Sequence, residues 1–340
     1  MRFGLTNDQV AFRDAVRDLL AKDCTPAHVR AASSASVGQL DCRVWDGLDA
    51  MGVLTVLVAE ADGGLGLDET YLVPVLEECG RVALPHPIVE TAMVAAPLFG
   101  AGAGMVSTDL GSDIVPWGLD ADTLLLLEGG QLVRSTPSSI AMVPIETVDH
   151  ARRAATRAPG GLIRRQDSQE QSPDCEIVTD DQVVIDLAFD RGALGTAAML
   201  VGLGQKMLDL TVGYVQQRQQ FGKPIGSFQA VKHHLADAAL ALEFARPAVQ
   251  RAAWTTAHGG DQRTRDVSMA KALASDAAQL VGRKALQCHG AIGYTVEADM
   301  HLYLKRTWAL ARSWGDIRFH TDRVADALRA SGSDPVRAVL

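Results

Sequence analysis

The residues best suited to chemistry lie in one short run, Arg218-Gln219-Gln220-Phe221-Gly222-Lys223-Pro224-Ile225-Gly226-Ser227-Phe228-Gln229. Gly222, Pro224 and Gly226 break a helix and let backbone approach a ligand. Arg218 offers a planar fork of donors suited to phosphate oxygens. The same run also reads as a plain helix-to-helix connector whose arginine caps a helix C-terminus. Other residues invite a functional reading and lose it on geometry. His233 and His234 are adjacent in a helical pattern, so their side chains diverge by roughly 100° and cannot converge on one metal. Cys24, Cys42, Cys79, Cys175 and Cys288 are scattered without a ligand spacing, which suggests neither a zinc site nor a disulfide framework. Trp254, Trp308 and Trp314 read as core or interface aromatics.

Elements able to position that run are legible around it. Leu200, Leu203, Met207, Leu210 and Tyr214 repeat at helical spacing before it, and Phe228, Val231, Leu235, Ala238, Leu242, Ala245 and Val249 do so after it. A third helix is expected from Thr264 to His289 and further helical segments from Met300 to Ala330, which together make a bundle. At the other end Thr6 caps a helix carrying Val10, Phe12, Val16 and Leu20. Trp45 to Val53 and Thr70 to Cys79 continue the helical character. Between them the texture changes. Short apolar runs, Thr123 to Leu127, Ile140 to Val143 and Gln182 to Ala188, lie among Gly, Pro, Ser and Asp and read as a small β domain, with Arg164 to Asp174 as a polar, mobile loop. The expected fold class is therefore mainly α with a small β domain: an N-terminal helical domain over 1–103, a reduced β domain over 104–190 and a C-terminal helical bundle over 191–335.

Composition agrees. The chain of 340 residues carries 32 basic and 41 acidic side chains, a formal net charge of −9, and its one basic cluster is Arg152, Arg153, Arg157, Arg164 and Arg165, so nucleic-acid binding is disfavoured. No run approaches the roughly 20 apolar residues of a membrane span, and the N-terminus lacks a continuous apolar targeting segment. A soluble cytoplasmic protein is expected.

Arg218, Phe221, Gly222, Pro224, Ile225, Phe228 and Gln229 together resemble the Arg-x-x-Phe-Gly-x-Pro-Ile-x-x-Phe-Gln signature of the acyl-CoA dehydrogenase superfamily. Gln287-Cys288-His289-Gly290-Ala291-Ile292-Gly293-Tyr294 resembles its Gln-x-x-Gly-Gly-x-Gly turn, and Trp45 to Gly66 resembles a stretch of its N-terminal domain. The resemblance implies FAD as cofactor, with these motifs serving the ADP half of a flavin held mainly by a neighbouring subunit. By position, Arg218 would pair with the pyrophosphate, Gln220 and Phe221 would line the site, Gln229 would reach the nucleotide, and Gln287 and Gly290 would approach the adenosine. Ala291 stands where the family has glycine and adds a methyl there.

The family also needs a carboxylate base to take the α-proton of an acyl-CoA thioester while hydride leaves for the flavin. At one family location the aligned residue is Trp314, or Gly315 with the register slipped by one. At the other, ahead of the first bundle helix, it is Gly192. Neither is acidic; Asp316 and Asp190 are the nearest acids. The Thr-Glu-Pro-x-Ala-Gly-Ser-Asp segment that holds the flavin is missing too, since Gly111-Ser112-Asp113 is only an echo. The pattern resembles the smaller, base-lacking subunit of actinobacterial heterotetrameric acyl-CoA dehydrogenases that act on sterol side-chain CoA thioesters. It implies a larger homologous acyl-CoA dehydrogenase subunit as partner, two of each kind per assembly, with the acyl-CoA held mainly by that partner. Two alternatives stay open: a self-sufficient homo-oligomer using Asp316 or Asp190 as base, and a flavin-free scaffold paralogue.

Overall fold

The structure, a computed structural model, describes residues 4–108, 110, 112–162 and 175–330. The polar stretch Arg164 to Asp174 lies outside these residues, as does Gly111. In chain order the helices and strands are α1 (Asn7–Asp23), α2 (Pro26–Ser34), α3 (Arg43–Ala50), α4 (Glu69–Arg81) and α5 (Ala96–Phe99), then β1 (Val106–Thr108), β2 (Ile114–Pro116), β3 (Thr123–Glu128), β4 (Gln131–Ser135), β5 (Ile140–Ile145), β6 (Ala154–Leu162) and β7 (Glu176–Thr179). They continue with α6 (Gln182–Gln217), β8 (Gln219–Gln220), β9 (Lys223–Pro224), α7 (Gln229–Ala257), α8 (Arg263–His289), α9 (Met300–Arg312) and α10 (Ile317–Ala330). Mostly helical with a small sheet region, the chain has the expected fold class. Its described residues fall into two compact units, one drawn from Met1–Arg13, Val73–Ala83 and Ala193–Leu340, the other from Asp14–Leu72 and Leu84–Gly192.

In the second unit β1, β3, β4 and β7 form one sheet, in which β1 runs parallel to β3, and β2, β6 and β5 form an antiparallel sheet. Val115, Ala121, Leu124, Leu126 and Ile140 build the core between strands. The edge of β1 is closed by Thr91, whose hydroxyl accepts from Val106 N at 3.0 Å and donates to Val106 O at 3.2 Å. One expectation fails here. Gln182 to Ala188 forms the first turns of α6 and not a strand. Ile185 and Ala188, three residues apart, are buried while Val183 is exposed, so the burial follows a helical period despite the β-branched run.

The first unit is helical. Thr6 caps α1 reciprocally with Gln9: the Gln9 amide donates to Thr6 Oγ1 at 3.2 Å and the Thr6 amide to Gln9 Oε1 at 2.9 Å. In α4 and α6 two glycines permit backbone contact, since a Cβ on Gly80 would strike Met199 O and one on Gly202 would strike Glu77 O. Arg81 to Asp209 at 2.7 Å ties α4 to α6 from their polar sides, and Arg246 to Glu77 at 3.3 Å ties α7 to α4.

Under the α9–α10 turn lies a buried polar knot. The Lys271 ammonium, fully enclosed, donates to Ser275 Oγ at 3.2 Å, Ala311 O at 3.3 Å and Gly315 O at 3.1 Å. Three acceptors match its three donors, which is what makes a buried ammonium tolerable. His320, also fully buried, donates from Nε2 to Trp314 O at 2.7 Å. Burial first, and then the Lys271 charge, pushes the His320 pKa from 6.5 down to about 3. Because the folded value lies below the unfolded one, the neutral ring contributes stability above about pH 6.5 that is lost as pH falls towards the folded value. Chemical-unfolding curves between pH 6.5 and 5 are expected to show wild-type stability falling by about 1–2 kcal/mol more than that of a His320→Gln variant.

Candidate dinucleotide half-site on the helical unit

The join between α6 and α7 is a two-residue β-hairpin. Gln219 pairs with Pro224 and Gln220 with Lys223 across β8 and β9, leaving Phe221 and Gly222 as its tip. Both tip residues have positive φ, 53° for Phe221 and 79° for Gly222, the signature of a type I′ turn. Glycine adopts that conformation freely; a phenylalanine does so under strain. The ring gains little from its own chain in return. Phe221 is 91% exposed and touches Phe228 edge-on, with centroids 6.1 Å apart, while Lys223 Nζ sits 4.5 Å from the Phe228 ring. Ile225 N donates to Arg218 O at 2.8 Å, which closes the loop behind the hairpin.

Arg218 thus stands at the end of α6, exposed, with no ion pair among the described residues. Gln220, Phe221 and Gln229 are exposed on the same turn. The second motif ends α8. Gln287 is exposed in the last helical turn, Gly290 takes φ +64° with open space where a Cβ would stand, and Ala291 is exposed just beyond. Its extra methyl therefore meets nothing within this chain.

What joins the two motifs is a ring pair the sequence did not disclose. Tyr214, one turn before Arg218, stacks on His289 with centroids 4.4 Å apart and planes 16° off parallel, and its hydroxyl donates to His289 O at 3.5 Å. Burial lowers the His289 pKa and raises that of Cys288, so the imidazole and thiol behind this surface are neutral at pH 7. A cleft of about 380 Å³ opens beside the stack, lined by Asp209, Tyr214, Gln217, His289, Ile292 and Asp299 among others. Residue types alone gave no signal for the stack, because its partners lie far apart in the chain.

The surface suits an anion with a ring system. Lys232, one turn after Gln229 on α7, and Arg283, one turn before Gln287 on α8, are exposed and, like Arg218, lack ion pairs among the described residues of a chain of net charge −9. Exposed glutamines and the open backbone at Gly290 add donors and acceptors. These residues fit the ADP half of a dinucleotide. No group of three or more metal-ligating side chains occurs among the described residues. His233 is exposed and His234 half-buried, on diverging sides of α7.

The positions that the sequence resemblance would assign to the base carry other work. Trp314, at φ +58°, is 4% exposed, and its carbonyl is held by His320. Gly315 has φ +87°, and a Cβ there would collide with the Phe319 ring and come within 2.9 Å of His320 Nε2, so an acidic side chain cannot be added without rebuilding the turn. Asp316 caps α10, its Oδ1 accepting from Phe319 N at 2.9 Å. In the other unit Gly192 and Asp190 are both buried, and the neighbouring Arg191 is paired with Glu69 at 2.7 Å.

Comparison with known proteins bears on the family and the fold. Residues 6–104 match the model of the acyl-CoA dehydrogenase N-terminal domain and residues 183–328 that of the acyl-CoA dehydrogenase C-terminal domain. The acyl-CoA dehydrogenase IpdE2 of Mycobacterium tuberculosis is 32% identical over 88% of this chain and 91% of its own. IpdE2 of Mycolicibacterium smegmatis is 30% identical over 92% and 96%. Among solved structures, the Tcur3481–Tcur3483 steroid ACAD G363A variant superposes with a TM-score of 0.85 at 20% identity, covering 96% of this chain and 99% of that one. The ChsE4–ChsE5 complex of Mycobacterium tuberculosis does so with a TM-score of 0.84 at 21% identity, covering 97% and 99%. The chain belongs to the acyl-CoA dehydrogenase family.

A capping role for Asp316 has a measurable signature. Asp316→Ala is expected to lower unfolding stability by about 1 kcal/mol and Asp316→Asn, which still caps, by a few tenths at most; thermal denaturation of the two variants checks this.

Proposed function

We propose that this chain is the non-catalytic subunit of a heteromeric FAD-dependent acyl-CoA dehydrogenase, completing the flavin site of a larger homologous partner across their interface. The observation that carries the reading is the pairing of a strained, almost wholly exposed Phe221 beside the unpaired Arg218 with a turn at Trp314 and Gly315 that has no room for a base. A side chain held out at a conformational cost makes sense where something else covers it. Exposed Leu240, Phe244 and Trp254 on α7 and Met269 and Leu273 on α8 extend the apolar surface on the same two helices that carry Gln229 and Gln287.

In this reading Arg218 binds the pyrophosphate and Phe221 and Gln220 wall it off from water. Gln229 reaches the nucleotide, and Gln287, Gly290 and Ala291 border the adenosine. Bound FAD supplies the hydride acceptor for α,β-dehydrogenation of an acyl-CoA thioester. Nothing in this chain takes the α-proton, so that task and most of the acyl-CoA binding fall to the partner. Likeness to assemblies whose names carry two components supports a heterotetramer, and one described as a steroid ACAD supports a steroid side-chain CoA as substrate. The five free cysteines suit a cytoplasmic setting. No helix among the described residues is long and apolar enough to cross a membrane.

Co-expression with candidate larger homologues is the test. The complex that co-purifies should carry FAD, and Arg218→Ala should lower its FAD content about tenfold or more while the two chains still elute together. An Arg218→Ala complex with full FAD content would refute the half-site role and favour a flavin-free scaffold.

A further inference from the structure

The two glutamines of the half-site come from different helices, and their spacing depends on how the ends of α7 and α8 are held. Arg251 near the end of α7 bonds Asp266 near the start of α8 at 2.9 Å, and Lys284 near the end of α8 bonds Asp237 near the start of α7 at 3.0 Å. The helices are therefore antiparallel, and Gln229 and Gln287 share one end. On α7 that end is loosely packed. On α7 the fully buried residues begin only at Ala238, and the expected core positions Val231 and Leu235 are half-exposed. Apolar burial does not fix the helix where Gln229 sits.

A polar clamp occupies this place. Lys284 Nζ lies 3.1 Å from His234 Nδ1 and 3.0 Å from Asp237 Oδ2. An ammonium only donates, so His234 accepts through Nδ1 and keeps its proton on Nε2. Asp237 is held ionised below the usual carboxylate range, first by its hydrogen bond from Lys284 and then by that charge. Lys284 precedes Gln287 by three residues, one turn back on the same side of α8. On α7, Gln229 Nε2 lies 3.4 Å from His233 Nε2, the residue beside His234. Lys284, one turn from Gln287, thus holds the turn of α7 that carries His234 and Asp237, and Gln229 bonds His233 on that same turn through a side chain that points away from the clamp.

We infer that Lys284 is a positioning residue for the dinucleotide site, setting the separation of Gln229 and Gln287 through His234 and Asp237 without itself binding phosphate. The inference rests on the half-site reading above and names a residue that reading does not use. The competing role for a lysine here is direct contact with the pyrophosphate, and the charge on Asp237 separates the two. If Lys284 bound phosphate, removing the Asp237 charge would free the cation and tighten binding. If Lys284 clamps the helices, removing either partner loosens both glutamines.

The experiment titrates FAD into the deflavinated complex of this chain with its larger subunit, following flavin fluorescence at two salt concentrations. The variants are Lys284→Met, Lys284→Arg, Asp237→Asn and Arg218→Ala. Lys284→Met and Asp237→Asn are each expected to weaken FAD binding about two- to fivefold with the salt dependence unchanged, and Lys284→Arg to restore most of the loss. Tighter binding in Asp237→Asn, or a shallower salt dependence in Lys284→Met, would overturn the clamp in favour of a phosphate contact. Unchanged binding in both, with binding lost in Arg218→Ala, would overturn the clamp alone. Unchanged binding in Arg218→Ala as well would overturn the half-site reading and the clamp with it.

Discussion

A phenylalanine at the tip of a type I′ hairpin, with its ring in solvent, is the constraint on which the rest of this molecule turns. Left-handed backbone at a bulky residue costs of order 1 kcal/mol or more, and an exposed aromatic ring forgoes burial that would offset it. The fold over-determines the strain nonetheless. The pairing of β8 with β9, the Ile225 to Arg218 bond and the ladder of α6 hold the backbone on both sides of Phe221. Everything proposed for the surface follows from that: a ligand or partner that covers the ring recovers the energy the isolated chain leaves unused.

A second constraint lies at the turn where the sequence resemblance would place a base. The knot of Lys271, His320, Trp314 and Gly315 satisfies a buried ammonium and a buried imidazole with backbone carbonyls of the turn itself. Such a network is expensive to leave half-satisfied, so the turn is fixed in a form that buries tryptophan and admits no acid. Asp316, the one carboxylate close by in sequence, is committed to capping α10. The chain invests its buried polar chemistry in holding a turn, and its exposed polar chemistry in the end of the bundle where Arg218 and Gln287 emerge.

Much of this was legible in the sequence because it rests on local rules. Helical periods placed α7 to α10 closely, Thr6 announced a cap, and the glycine-proline run announced the turn between α6 and α7. What escaped depends on partners distant in the chain. Gln182 to Ala188 carries the β-branched residues of a strand, yet tertiary burial of Ile185 and Ala188 makes it helix. Val231 and Leu235 continue a clean apolar period, yet the buried face of α7 starts beyond them, at Ala238. The stack of Tyr214 on His289 and the clamp of Lys284 on His234 and Asp237 join segments whose proximity no spacing encodes. The absence of an acid at Trp314 or Gly315 could be read directly; that the turn cannot take one could not, since it depends on Phe319 and His320 filling the space.

The central claim is a division of labour, with half of a flavin site here and the base elsewhere. The most direct measurement is the visible absorbance and acyl-CoA dehydrogenation activity of this chain purified alone, before and after addition of the larger subunit with FAD. The account predicts a colourless, inactive chain that gains both flavin and turnover only in the mixture, beyond what the larger subunit shows by itself. A yellow preparation of this chain that oxidises an acyl-CoA unaided would contradict it.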